Sequence, residues 1–81
     1  MTYIATFYSH FGAVHFKKIC ENHQITAKMM PVPRNLSSSC GTCVRYEGDD
    51  SCPGGEYTEE MEQIVLVGDV GYTILYRAKD G

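Results

Sequence analysis

The sequence predicts an α+β domain on the ferredoxin-like split βαβ plan, in the order strand, helix, strand, strand, helix, strand (βαββαβ): a four-stranded antiparallel sheet with two helices on one face. Three observations lead there. The chain has 81 residues, room for one thin core and no second lobe, since a chain of this size buries only about 60–65% of its unfolded surface. Four short segments are rich in β-branched and aromatic residues, and two others read as helices. No internal repeat or domain boundary interrupts the chain, so residues 1–81 form a single domain whose elements share one sheet. Right-handed crossovers then set the strand order at 4-1-3-2.

The first strand is Thr2 to Tyr8, with apolar or small side chains on both faces (Tyr3, Ala5, Phe7 and Ile4, Thr6, Tyr8), which suits a central position. Ser9 follows as an N-cap, its hydroxyl able to accept a free amide of the first helical turn. From His10 to about Gln24, residues Gly12, Ala13, Phe16, Ile19, Cys20 and His23 fall on one side of a helical wheel, with Lys17, Lys18, Glu21 and Asn22 mostly elsewhere. The second strand runs from Ile25 to Val32. Pro31 and Pro33 mark it as an edge strand, because proline cannot donate to a ladder. Arg34 to Thr42 is a polar loop, and Val44 to Glu47, started by Cys43, is the third strand. The acidic, glycine-rich Gly48–Gly55 stretch connects it to a second helix, with Thr58 as N-cap, Glu59 and Glu60 in the first turn where the helix dipole favours carboxylates, and Met61, Ile64 and Val65 on the inner face. Gly68 stops that helix, and Tyr72 to Arg77 is the last strand.

This plan places the Ser9-His10 turn, the Arg34–Thr42 loop and the Gly68–Gly71 turn at one edge. Cys52 then falls at the opposite edge, and Cys20 on the buried side of the first helix.

Composition narrows the function classes. Hydrophobic residues at 43% and charged residues at 21% are near globular averages. Lys+Arg number 7 against Asp+Glu 10, a net charge of −3, so nucleic acid is not an expected partner. The longest apolar run, Ile64 to Val67, is far short of the ~18–20 residues of a membrane span, and no membrane partner is expected. The start, Met1 to Phe7, lacks a basic region and a cleavage signature, which predicts a cytoplasmic protein.

Cysteine is the unusual residue. Cys20, Cys40, Cys43 and Cys52 are too sparse for a secreted disulfide scaffold, so reduced thiols or metal are the better question. A nucleophilic thiol needs positive potential and access to solvent. Cys40 meets that description on sequence grounds: it lies in a loop behind Ser37, Ser38 and Ser39, ahead of Gly41, and downstream of Arg34. Successive amides in such a turn can form an anion-binding concavity. The plainer reading is a polar hairpin loop in which Cys40 packs as a small hydrophobe.

The run Met30-Pro31-Val32-Pro33-Arg34-Asn35-Leu36-Ser37-Ser38-Ser39-Cys40-Gly41 resembles the signature loop of the Putative selenium/sulfur carrier protein-like family of small bacterial domains, and Tyr3-Ile4-Ala5-Thr6-Phe7-Tyr8-Ser9 and the expected short acidic second helix resemble that family as well. The resemblance covers nearly the whole chain except Gly48–Gly55. It implies a cysteine, here Cys40, that carries sulfane sulfur or selenium as a persulfide or selenenyl-sulfide. It also implies a donor such as a cysteine desulfurase, an acceptor protein, and no separate cofactor. The family position matching Cys43 is usually apolar or small. A thiol there could resolve the persulfide into a Cys40–Cys43 disulfide.

Other readings remain open. Cys40-Gly41-Thr42-Cys43 is a CxxC motif, but thioredoxin chemistry wants a helix after it, and Val44-Arg45-Tyr46-Glu47 reads as strand. Zinc could draw on Cys40, Cys43, Cys52 and His10, although structural zinc commonly uses two such knuckles. His10 is a candidate base or cation beside the thiol; His15 and His23 read as surface or helix-end residues. Glu56, Glu59, Glu60 and Glu62 read as a solvated helix start. The expected function is therefore a carrier or thiol relay, a protein of handover and not a turnover enzyme, with Cys40 as carrier, Cys43 as resolving thiol, and Arg34 and the loop amides as stabilisers. The alternative is an interaction or regulatory module, and the second strand, with Met29, Met30 and Val32, would offer a homodimer edge.

Overall fold

A computed structural model describes residues 1–53, 55 and 59–78. The elements are β1 (Thr2–Phe7), α1 (His10–Asn22), β2 (Ala27–Pro31), β3 (Thr42–Glu47), β4 (Met61–Val67) and β5 (Tyr72–Arg77). Among the described residues they form one five-stranded antiparallel sheet in the order β2-β3-β1-β4-β5, with one helix. The expected ferredoxin-like plan of a four-stranded sheet with two helices is overturned: the second helix is replaced by a strand, and Tyr72–Arg77 becomes a fifth. The first half keeps the split βαβ arrangement, β1 and β2 running the same way on either side of β3.

The segment expected to be the second helix is β4. Its run Ile64-Val65-Leu66-Val67 holds two valines and an isoleucine, whose branched Cβ atoms lose rotamer freedom in a helix and pack well on a pleated surface. Ile64 and Val65 are both fully buried, on opposite faces. A short apolar run buried on both sides looks alike in helix and strand by period alone. Its placement between β1 and β5 settles it as a strand. Met61–Val67 therefore takes the position beside β1 expected for Tyr72–Arg77, which moves out to the edge. The Thr58 cap and Glu56 lie outside the described residues.

Helix α1 follows its local signals. Ser9 Oγ accepts from the Gly12 amide at 3.2 Å, and the helix ends where Gln24 turns left-handed at φ 59°. Its inner residues Ala13, Phe16 and Cys20 pack on Tyr3, Ala5, Phe7, Val44, Tyr46, Met61 and Ile64. Phe16 sits at the centre, with ring centroids 5.5 Å from Phe7 and 5.1 Å from Tyr46. Gly12 is required by close approach: a Cβ there would stand 2.7 Å from the Cβ of Glu60, just before β4. The Tyr8 amide also donates to the Glu60 carbonyl at 2.9 Å.

The opposite face of the sheet carries a second, smaller cluster. Ile4, Cys43 and Val65 are buried there beneath Met30, Val32, Leu36, Val67 and Tyr72. Val32 and Leu36 belong to the segment between β2 and β3, so that loop is a lid on the uncovered side of the sheet as well as a connection.

Candidate functional site

The loop from Val32 to Gly41 is closed at its base by the Val32 amide donating to the Gly41 carbonyl at 3.0 Å. Gly41 has φ 75°, the left-handed conformation that glycine adopts without steric cost. Within the loop, the Leu36 amide donates to the Pro33 carbonyl at 3.0 Å, a tight turn that leaves Arg34 exposed at its tip. Arg34 makes no ion pair among the described residues.

The serines then tie the loop to the sheet. Ser38 Oγ donates to the Phe7 carbonyl at 3.5 Å and accepts from the Cys40 amide at 3.4 Å. Gln63 Nε2 donates to the Ser37 carbonyl at 3.0 Å. Glu62 makes the strongest set: its carboxylate accepts from the Ser39 amide (3.1 Å), Ser39 Oγ (2.8 Å) and Thr6 Oγ1 (3.2 Å). Hydrogen bonds to an ionised acceptor are roughly twice as strong as neutral ones.

Glu62 reaches the loop because of a β-bulge. Thr6 of β1 pairs with Gln63 and Phe7 pairs with Met61, leaving Glu62 as the extra residue. Such a bulge interrupts strict alternation and re-aims side chains. Here two successive residues, Glu62 and Gln63, grip the same loop. The expectation that Glu62 belongs to a solvated helix start is corrected accordingly. Its signal in the sequence was the β-branched run that follows it, which argues for a strand through this segment.

Cys40 is half-buried against the helix-side core, and its thiol donates to the Thr42 carbonyl at 3.3 Å. His10 Nδ1 lies 3.5 Å from Thr42 Oγ1, so the helix start and the cysteine loop meet as expected. The Gly68–Gly71 turn lies at the other end of β1 from the helix start, where Leu66 pairs with Tyr3, but it does meet the outer limb of the loop: Gly71 and Tyr72 share a cleft with Asn35 and Leu36. The amides of Ser39 and Cys40 are already engaged by Glu62 and Ser38.

The other thiols sit in different surroundings. Cys43 is fully buried under the loop, its Sγ 3.8 Å from the Pro31 carbonyl. Burial, aided by the charge of Cys40, pushes it up to about 11. Cys20 is sealed beneath α1, and burial, aided by Glu21, takes it to about 11 as well. Cys52 is half-buried, its amide on Asp50 Oδ1 at 2.9 Å. It stands at the far end of β3 from Cys40, where the Tyr46 hydroxyl donates to the Ser51 carbonyl. Among the described residues, no three His, Cys, Asp or Glu side chains converge as metal ligands, and no helix is long and apolar enough to cross a membrane.

A cleft of about 440 Å³ runs beside the loop, lined by Tyr8, Ser37, Ser39, Glu62, Gln63 and Arg77. A family model described as "Putative Se/S carrier protein-like" matches residues 2–77, a span that takes in every described element of the sheet and the Cys40 loop. No curated protein and no solved structure matches the chain.

Proposed function

Because this chain belongs to the Putative Se/S carrier protein-like family, we propose that it carries sulfane sulfur or selenium on Cys40, taking it from a donor protein and passing it to an acceptor. The observation that supports Cys40 is its setting: a half-buried thiol on a loop that two sheet residues, Glu62 and Gln63, hold by side-chain hydrogen bonds. Cys20 and Cys43 are fully buried.

Loading is a thiol exchange. The Cys40 thiolate attacks the terminal sulfur of a donor persulfide; a new S–S bond forms to Cys40, the donor's S–S bond breaks, and the donor leaves as a thiolate. Unloading is the reverse, with an acceptor nucleophile attacking the terminal sulfur and Cys40 leaving as thiolate. No net oxidation occurs in either step, so the carrier requires no cofactor. Selenium follows the same exchange through a selenenyl-sulfide. His10, whose Nδ1 lies 3.5 Å from Thr42 Oγ1, is the side chain assigned to assist the proton transfer, and Arg34, exposed at the loop tip, supplies positive charge for a docked donor.

Cys43 contributes little to the resting exchange. A thiol held at about 11 stays protonated at neutral pH, and the thiolate is the nucleophile. Resolution of the persulfide by Cys43 would require the loop to lift from the smaller cluster in which Cys43 is buried beneath Val32 and Leu36.

Intact-mass analysis after incubation with a persulfide donor tests the proposal. Loading adds about 32 Da per sulfur, and the addition disappears in Cys40→Ala and persists in Cys52→Ala. A wild-type chain that takes up no sulfur would leave the alternative, an interaction module. That reading draws on the apolar edge strand β5, where Ile74 and Leu75 are exposed and could pair with a partner strand.

A further inference from the structure

We propose that Glu62 is a positioning residue for Cys40, acting through Ser39. Its carboxylate bridges two segments that the chain separates by more than thirty residues: Thr6 in β1 and Ser39, the residue before Cys40. Three donors converge on two oxygens, with Oε1 shared between the Thr6 hydroxyl and the Ser39 amide and Oε2 taken by the Ser39 hydroxyl. The bulge that leaves Glu62 without a pairing residue in β1 is what allows this reach, while its carbonyl still accepts from the Ala78 amide on the β5 side at 2.9 Å. The same brace gives the loop its local geometry: with the Ser39 amide turned to Glu62, the Cys40 amide faces Ser38 Oγ and the Cys40 thiol faces the Thr42 carbonyl. Glu62 touches neither the thiol nor its cargo.

The functional meaning of this brace rests on Cys40 as the carrier thiol, but its test does not. The rate of Cys40 alkylation by iodoacetamide, followed by peptide mass analysis, is measured across the titration of the thiol in wild type, Glu62→Gln, Ser39→Ala and the double variant. Loss of charge-assisted hydrogen bonds releases the loop, and the plateau rate at high pH rises about fivefold or more in Glu62→Gln. Ser39→Ala, which keeps the carboxylate, gives part of that rise, and the double variant reacts no faster than Glu62→Gln alone. Two results would overturn the inference: an unchanged plateau with only the titration midpoint moved, which would make Glu62 a distant charge, or fully additive effects in the double variant. Should Glu62→Gln fail to fold, Ser39→Ala decides alone, an unchanged plateau counting against the brace. A wild-type chain that alkylates as described yet accepts no sulfur would defeat the carrier reading and leave the brace standing.

Discussion

Raising the pH tests directly which thiols the fold has sealed. Cys20 and Cys43 are fully buried, and burial moves each from 9.0 to about 11. An acid raised in this way stays protonated in the folded chain while the unfolded chain already ionises. The stability it contributes is complete below about pH 9 and is lost as the pH climbs toward 11. At about pH 10 the loss relative to about pH 8 is roughly 1.4 kcal/mol for each thiol, or roughly 2.7 kcal/mol for the pair. That is a large fraction of the ~5–15 kcal/mol by which domains are ordinarily stable. Tyr46 is also raised, by burial first, and steepens the fall once the pH passes its ordinary 10.0. The assay is urea unfolding at both pH values for wild type and for the Cys20→Ala/Cys43→Ala variant. The variant starts out less stable, because it has lost packed atoms, but it falls by roughly 2.7 kcal/mol less between the two pH values. Tyr46 keeps its burial in the variant and loses only the smaller contribution of Cys20 to its shift. Equal losses in the two proteins would show that Cys20 and Cys43 ionise freely in the fold, and the argument that burial withdraws these two thiols from the chemistry would fail.

Two further outcomes follow from the packing and the loop. Phe16→Ala removes a ring that is 2% exposed and stands between Phe7 and Tyr46, and should cost about 3–5 kcal/mol in denaturant unfolding; a loss below about 1 kcal/mol would mean that α1 is not seated on the sheet as described. Gly41→Ala meets no atom within 4 Å but forces an alanine to φ 75°. It should cost about 1–2 kcal/mol through backbone strain alone, and it should change the alkylation rate of Cys40 next to it; unchanged stability would argue against the left-handed turn that closes the loop.

The course of the first half of the chain could be read locally. β1 announces itself by apolar residues at both parities, Ser9 and the helical spacing of Ala13, Phe16 and Cys20 define α1, and Pro31 with Pro33 marks β2 as an edge. Each signal lies within a few residues of the structure it specifies. Met61–Val67 lacked that property. Its period suits a buried helix or a buried strand equally, and what decides between them is hydrogen bonding to Tyr3–Phe7, nearly sixty residues earlier. A helix at Met61–Val67 would put Tyr72–Arg77 beside β1, whereas a strand there moves Tyr72–Arg77 to the edge and the Gly68–Gly71 turn to the other end of the sheet.

For the site, the amino-acid sequence determined on its own that a serine-rich loop would hold a cysteine next to the start of α1, because chain order and the split βαβ connection bring those segments together. Tertiary structure alone decided that Cys40 and not Cys43 stays accessible, and what holds it. Cys40 and Cys43 are three residues apart and chemically identical, yet Cys43 faces a cluster closed by Val32 and Leu36 while Cys40 stays only partly buried. Glu62 looks like one acidic residue among several until the bulge turns it toward Ser39. Burial and register are properties of distant segments in contact, and neither is written in the spacing of neighbouring residues.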